Sequence, residues 1–242
     1  MEFNVIVLVV AFISGAVASV VGFGIGSLLT PLLAVQVGTK IAVASVSIPH
    51  FLGTAYRCWG LRQHVDRILL FRFGFMSALG GFAGAALNTC ATNTSITLVF
   101  GVLLIFVGVT GVFGWDSRIR LGKKRSWLAG ALSGMFGGLV GNQGGIRSAA
   151  LLSFDLSKEA FVATATAIGV IVDLARVPVY LFTEMHEIRQ NLTVIGISCA
   201  GVMIGTIVGM QYLRNLPEQF FRKIVSAAVL CLGASAVYKC FN

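Results

Sequence analysis

The chain reads as an all-α polytopic membrane protein built from two homologous halves, and three observations predict this. Of its 242 residues, 57% are hydrophobic and only 11% charged, whereas soluble domains carry roughly 25% charged residues. The mean hydropathy is +0.90, and the apolar stretches recur from end to end instead of marking one core helix. A shift of 119 positions superposes one half of the sequence on the other. This composition excludes a disordered chain, a collagen, a secreted disulfide scaffold and a nucleic-acid-binding domain. The net charge of +9 fits Lys/Arg-rich cytoplasmic loops and does not call for nucleic acid. The five cysteines (Cys58, Cys90, Cys199, Cys231, Cys240) show no metal-ligand spacing and read as small apolar residues.

A membrane-spanning helix needs about 20 mostly apolar residues. The first repeat, 1–116, opens with an apolar segment at 4–36 that is too long for one comfortable span. It is interrupted at Gly22-Phe23-Gly24-Ile25-Gly26. Residues 5–13 followed by Ala16-Val17-Ala18 imitate a signal peptide. No positive charge precedes them, however, and a related segment recurs at 128–140, so the stretch is read as part of the fold. Helices follow at 40–57, 66–88 and 95–114. A basic linker, 117–126, leads to the second repeat, 127–242. There a long segment, 127–154, is interrupted at Gly141-Asn142-Gln143-Gly144-Gly145, and helices follow at 159–182, 191–213 and 218–241. Pro49 and Pro178 are tolerable, because membrane helices accept proline where neighbours satisfy the freed backbone groups. Glycine is a poor helix former, so the two clusters predict unwound backbone facing a cavity or protein. Close helix packing through small residues is the plainer alternative.

The interruptions lie in register. The shift brings Ser14-Gly15 onto Ser133-Gly134, Gly22 onto Gly141, Gly26 onto Gly145 and Arg57 onto Arg176. Over 13–57 there are ten identities in 45 positions without a gap. Two topologies follow. Either 4–36 and 127–154 each cross, giving eight spans in parallel halves, or each is a re-entrant hairpin followed by three spans, giving inverted halves. Positive charges arbitrate. Outside Arg147 and Arg176, the hairpin arrangement puts thirteen Lys/Arg on one side, Arg57 among them, and leaves Lys40, Arg189 and Lys239 opposite. The crossing arrangement divides them eleven to five. The hairpins are therefore preferred, with both termini extracytoplasmic.

A helix that begins at an unwound glycine stretch exposes unpaired N–H groups and the positive end of its dipole. That is a ready anion site. In the inverted arrangement, half-helices starting near Gly26 and Gly145 converge at the midplane. Arg147, two residues after Gly145, supplies a charge that costs from about 2.5 to more than 10 kcal/mol at bilayer depth. Its planar fork suits an oxyanion; the structural alternative pairs it with backbone carbonyls or Asp173. Asn142, Gln143, Gly144 and Gly145 in one half, and Gly24, Gly26, Ser27 and Thr30 in the other, complete the candidate site. One of Ser45 and Ser47, and one of Thr164 and Thr166, is expected to face it, with Ser45 and Thr164 the chosen pair. Asp173 and Arg176, at i and i+3, can pair on one helix face. About 27 Å along its helix from Lys158, Arg176 is expected near the far interface, free to snorkel, as half of a structural pair or a gate. His50 and Asp173 are the titratable candidates for coupling.

These residues resemble the TauE/SafE family of membrane permeases, also called the sulfite exporter family. The resemblance rests on Ser14-Gly15 through Gly26 with Pro31, on Ala42 to Ser47, on Leu132-Ser133-Gly134, on Gly141 to Gly145 and on Ala163 to Thr166. It implies two homologous halves, no bound cofactor, and export or uptake of sulfite, sulfonates or related small acids. The run Asn142-Gln143-Gly144-Gly145-Ile146-Arg147 departs from the plainer glycine run the family carries, and suggests a subgroup with a more polar, positive site. The expected partners are a small anionic substrate and the lipid bilayer of the plasma (inner) membrane, with no nucleic acid; a homodimer is compatible. A secondary transporter working by alternating access is the reading taken. An anion channel stands as the alternative, and an intramembrane enzyme as a remoter one, since the acids and histidines do not cluster.

Overall fold

The computed structural model describes residues 2–114, 126–151, 154, 156–212 and 218–241. The linker 117–126 therefore lies almost wholly outside the described residues, as do Arg118, Arg120, Lys123, Lys124, Arg125 and Arg214. The described residues are helical with short connections and contain no strand. Among the described residues, six apolar helical runs are long enough to cross a membrane.

Helix α1 (Glu2–Val21) ends at the first glycine cluster, and α2 (Ile25–Leu61) starts directly after it. A 3-10 turn (Arg62–His64) precedes α3 (Arg67–Leu69), which passes through a π-turn (Leu70–Gly74) into α4 (Phe75–Cys90). Next come α5 (Asn93–Val112), α6 (Ser126–Val140) and, beyond the second cluster, α7 (Gly144–Leu151). The chain closes with α8 (Lys158–Thr183), the short α9 (Met185–Gln190), α10 (Leu192–Tyr212) and α11 (Glu218–Phe241).

The segments read as 4–36 and 40–57 are not separated by a loop. Helix α2 runs through both and bends at Gly38, whose backbone (φ 77°, ψ 158°) is not helical. Asn93 meets one of the amides freed at the bend: the Lys40 amide donates to its Oδ1 at 3.0 Å. A Cβ at Gly38 would overlap that Asn93 amide. Lys40 Nζ then donates to the Thr89 carbonyl at 2.7 Å and pairs with Glu184 at 3.3 Å, tying the bend to the ends of α4 and α8.

The chain doubles back at each glycine cluster. Val7 and Leu33 share one apolar cluster, against which Phe3 and Val37 also pack, so the start of α1 lies beside the Gly38 bend. The last turns of α11 reach the same end, where Ser235 and Ala236 line a pocket with Gly38 and Asn93. In the second half, Ala129 of α6 and Leu151 of α7 share a cluster with Leu69 at the opposite end.

The halves interlock through glycines. α1 packs on α10, where a Cβ on Gly15 or Gly205 would strike the Val202 or Phe12 carbonyl. α6 packs on α4, with Gly80, Gly84, Gly134 and Gly138 each set against a facing backbone carbonyl. α5 and α11 meet through Gly101, Gly108 and Gly233. Where lipid tails are as apolar as leucine, such close backbone approach supplies the association. The outward faces carry large exposed apolar side chains, Phe71 and Phe82 among them. Trp59 and Trp127, also exposed, mark the end opposite Gly38, as expected of an interfacial aromatic belt.

Gly138→Val should lower the melting temperature of the detergent-solubilised protein, because its side chain would meet the Gly81 carbonyl and the Ala85 amide. The expected cost is at least about 1–3 kcal/mol of overpacking. Gly196→Ala, where nothing lies within 4 Å, should stay within about 1 kcal/mol of wild type. Equal melting temperatures for the two variants would show that α4 and α6 do not pack through this seam.

Candidate functional site

Three glycines make the two breaks possible. Gly22 (φ 86°), Gly24 (φ 140°) and Gly141 (φ 74°) occupy backbone conformations that side chains disfavour. Helix α1 closes with the Gly22 amide on the Ala18 carbonyl at 3.0 Å, and α6 with the Gly141 amide on the Gly137 carbonyl at 3.1 Å. After the breaks, Gly24 offers α2 no side-chain cap. The two fresh helix starts lie against each other. Gly26 sits on the Gly141 carbonyl, so that no Cβ fits, and Phe23 covers Gly144. Asn142 Nδ2 donates to Ser27 Oγ at 3.0 Å across the halves. Ser133 Oγ donates to the Gln143 carbonyl at 3.0 Å and holds the second break to its own α6.

The helix ends on the other side of each break are satisfied by arginine. Arg57 Nη1 donates to the Ala18 carbonyl, and Arg176 Nη1 donates to the Gly137 carbonyl at 2.5 Å. The two bonds are related by the same shift of 119 that aligns the halves. Tyr180 adds its hydroxyl to the Gly138 carbonyl. Cations suit the negative, carbonyl-bearing end of a helix, so each long helix clamps the tip of its own half's hairpin. Two expectations are corrected here. Arg57, counted above with the loop charges, is 2% exposed, leaving twelve cations against three in the charge count. Arg176 does not snorkel to an interface: it is 1% exposed, because the Gly137 carbonyl and Asp173 hold it inside.

Asp173 does pair with Arg176, through Oδ1 to Nε at 2.9 Å and to Nη2 at 2.8 Å. Its second oxygen meets His50 Nδ1 at 2.6 Å, joining α8 to α2. In the first half Thr54 stands where Asp173 stands in the second. It accepts from Arg57 Nη2 at 3.3 Å and lies 3.4 Å from His50 Nδ1.

Arg147 is different from the other two arginines. Its side chain is buried, with the residue only 3% exposed. One nitrogen, Nη2, reaches the Gly22 carbonyl at 3.4 Å. Nε and Nη1 have no partner, and neither has either amide atom of Gln143. The pairing with Asp173 weighed above is not made; that carboxylate is held by Arg176 and His50. Glycines pack close against these orphaned atoms. The Cβ position of Gly169 lies 3.1 Å from Arg147 Nη1 and from Thr54 Cγ2, and that of Gly137 lies 3.3 Å from Gln143 Oε1. Buried polar groups in folded proteins are nearly always hydrogen-bonded, so four unpartnered atoms in one place single out Arg147 and Gln143 as the candidate binding pair.

Of the residues singled out in the sequence, Gly24, Gly26, Ser27, Asn142, Gln143, Gly144, Gly145 and Arg147 are brought together at the paired breaks. His50, Asp173 and Arg176 flank them. Thr164 lies apart: its Oγ1 accepts from the Asp66 amide at 2.9 Å and fixes the connection before α3. Ser47 donates to the Ala44 carbonyl of its own helix. Ser45, Thr166 and Thr30 keep buried hydroxyls without partners, and Thr30 is within 3.6 Å of the Gly141 Cβ position. A pocket of about 330 Å³ beside the Gly38 bend, lined by Pro31, Thr39, Asn93, Thr97 and Ser235, includes none of the break residues. Sequence reasoning missed Thr54, Tyr180 and the clamp made by Arg57. For Arg57 a signal was present, since Arg57 and Arg176 are identical charged residues in register.

The family model described as sulfite exporter TauE/SafE matches residues 7–236, nearly the whole chain. No curated protein and no solved structure matches it.

The pair of clamps yields a ranking. Arg176→Leu strands the Asp173 carboxylate with His50 alone and should cost about 3–5 kcal/mol. Arg57→Leu removes one of two donors to the Ala18 carbonyl and a bond to the Thr54 hydroxyl, and should cost about 1–3 kcal/mol. Thermal unfolding in detergent should therefore order the variants with Arg176→Leu lower; the reverse order would contradict the role assigned to Asp173.

Proposed function

The chain belongs to the sulfite exporter TauE/SafE family, a family of multi-pass membrane transporters, and from that premise we propose that it is a secondary transporter of a small sulfur oxyanion or related organic acid. The anion sits beside Arg147 and Gln143, where the two half-helix starts meet. The observation that carries this reading is the set of buried, unpartnered atoms on those two side chains: Nε and Nη1 of Arg147, Oε1 and Nε2 of Gln143. A guanidinium held among uncharged groups at this depth is costly, and a bound oxyanion supplies the missing acceptors through charge-assisted hydrogen bonds. The backbone N–H groups of the uncapped α2 start, together with α7, add the positive ends of two helix dipoles. Sulfite, thiosulfate and sulfonates all present acceptor oxygens at a spacing a guanidinium fork can meet.

Movement follows from the same parts. Each hairpin tip is held to its long helix by one arginine, and the tips touch each other through Gly26–Gly141 and Asn142–Ser27. Rocking one half against the other around this fixed contact opens the anion first to one side and then to the other. In the membrane, each hairpin enters from the face opposite to its counterpart, so the halves are inverted repeats spanning 1–116 and 127–242. The end that carries Arg62, Arg67 and Arg72 faces the cytoplasm of the inner (plasma) membrane under the positive-inside rule, and both termini face outwards.

Thiosulfate and sulfite should raise the melting temperature of the wild-type protein. Arg147→Ala should weaken that binding by at least about tenfold, which is about 1.4 kcal/mol, while Arg147→Lys keeps part of it. Undiminished binding in Arg147→Ala would remove the site. For orientation, Glu2→Cys and Lys239→Cys in a cysteine-free background should both label with an impermeant maleimide from outside. Labelling of either from the cytoplasmic side alone would overturn the inverted arrangement.

A further inference from the structure

We propose that His50 and Asp173 form a proton-binding site coupled to the anion site, and that proton and anion travel in the same direction. This rests on the transport reading above and adds the coupling ion and the sign of coupling. His50 lies on α2 and Asp173 on α8, one from each half, and their contact at 2.6 Å bridges the two long helices. Arg176 occupies Oδ1 of Asp173, which leaves Oδ2 to accept from His50 Nδ1–H. A carboxylate on one ring nitrogen fixes the tautomer, so the free basic position is Nε2. The Asp173 side chain is wholly enclosed, while that of His50 remains 10% exposed; of the pair, the ring is the member with accessible surface. A proton from solvent binds Nε2, makes imidazolium beside the carboxylate, and leaves from the same nitrogen after the halves have moved.

The pair is close enough to sense the anion. Thr54 touches both sites: its hydroxyl is 3.4 Å from His50 Nδ1, and its methyl shares with Arg147 Nη1 a 3.1 Å approach to the Cβ position of Gly169. Gly169 lies one helical turn before Asp173. The groups facing His50 are Arg57 and Thr54 on its own helix, Asp173 and Arg176 on α8, and Arg147 beyond Thr54 on α7. Helices α5, α6 and α10 contain no Asp, Glu, Lys, Arg or His, and α1 contributes only Glu2 at its start. The charges of α9 sit at the Gly38 end, and those of α11 lie near its two ends.

The sign then follows from a count. Among the described residues around His50, the buried arginines Arg57, Arg147 and Arg176 stand against one buried carboxylate, Asp173. A proton on His50 adds positive charge to a centre already in excess, and an anion beside Arg147 removes it. Each ligand therefore raises the affinity for the other, and by linkage the effect is reciprocal. The state that carries both, and the state that carries neither, are favoured over the mixed states; that is cotransport, since exchange requires the opposite sign. The shift of 119 places Gly169 opposite His50 and Thr54 opposite Asp173, so the pair, shared between the halves, has no second copy at the matched positions.

Isothermal titration of the purified wild-type protein with thiosulfate, whose oxygens stay unprotonated in this range, tests the coupling between about pH 6 and pH 8. Repeating it in two buffers of different ionisation enthalpy counts the protons. The expected result is uptake of up to one proton per thiosulfate bound, with affinity falling by up to about tenfold per pH unit on the alkaline side. His50→Gln should bind thiosulfate with no proton uptake and no such pH dependence. Thiosulfate binding to wild type without proton uptake overturns the proposal and leaves the anion site standing. So does unchanged uptake in His50→Gln, and the wild-type count decides alone should that variant not fold. If thiosulfate, sulfite and sulfonates all fail to bind wild type, the anion site itself falls, and this proposal with it.

Discussion

A helix that stops inside a bilayer leaves about four amide hydrogens or four carbonyl oxygens without partners at each end, and no water is there to receive them. The two breaks in this protein answer that constraint unevenly. The carbonyl ends of α1 and α6 are met by Arg57, Arg176 and Tyr180, side chains on the long helices α2 and α8. The amide ends of α2 and α7 are met by much less: Gly24 gives no cap, and Asn142 reaches across to Ser27 without touching the backbone. The carbonyl ends carry arginine partners, and the amide end of α2 has no side-chain cap. The positive centre is thus a consequence of where the chain unwinds, with Arg147 added to it.

The scaffold is symmetric and the chemistry is not. Related positions make related backbone contacts, as Arg57–Ala18 and Arg176–Gly137 do, and α1 on α10 mirrors α6 on α4. Side chains at matched positions diverge. Phe23 and Gly24 correspond to Asn142 and Gln143, Leu28 to Arg147, His50 to Gly169, and Thr54 to Asp173. Features that hold the tips are kept in both halves, because both tips have the same helix ends to satisfy. Arg147, Asn142 and Gln143 have no polar counterparts at Leu28, Phe23 and Gly24, and a second guanidinium at touching tips would set like charges against each other.

Much of the fold was legible because hydropathy is a one-dimensional signal: apolar runs became helices, and both glycine clusters became breaks. The Gly38 bend was not, since a single glycine in a long apolar run carries no mark of the Asn93 amide that receives it 55 positions later. At the centre, Arg147 was legible because a charge beside a glycine cluster in an apolar segment stands alone. The Asp173–Arg176 pair was legible from spacing, but its enclosure was not, since helical periodicity says which residues are neighbours and nothing about which helix covers them. Arg57 was misplaced for the same reason: near the end of an apolar run, a clamp and a loop charge look alike. Alternation could not say which of Thr164 and Thr166 faces the centre, and the Asp66 amide that holds Thr164 away from it is distant in sequence.

The interlocking of α1 with α10 has a consequence for how the protein is made. Gly15 nests against Val202 and Thr206, so the first hairpin finds its seat only after nearly the whole chain has left the ribosome. At roughly 5–20 residues per second that wait lasts on the order of 10–40 seconds. During it the Gly22–Gly24 tip and the Ala18 carbonyl have only Arg57 and nearby first-half residues for company. Until α10 arrives, α1 has only partners from its own half, and the arginine that steadies the finished tip is also the nearest arginine in sequence to hold the unfinished one.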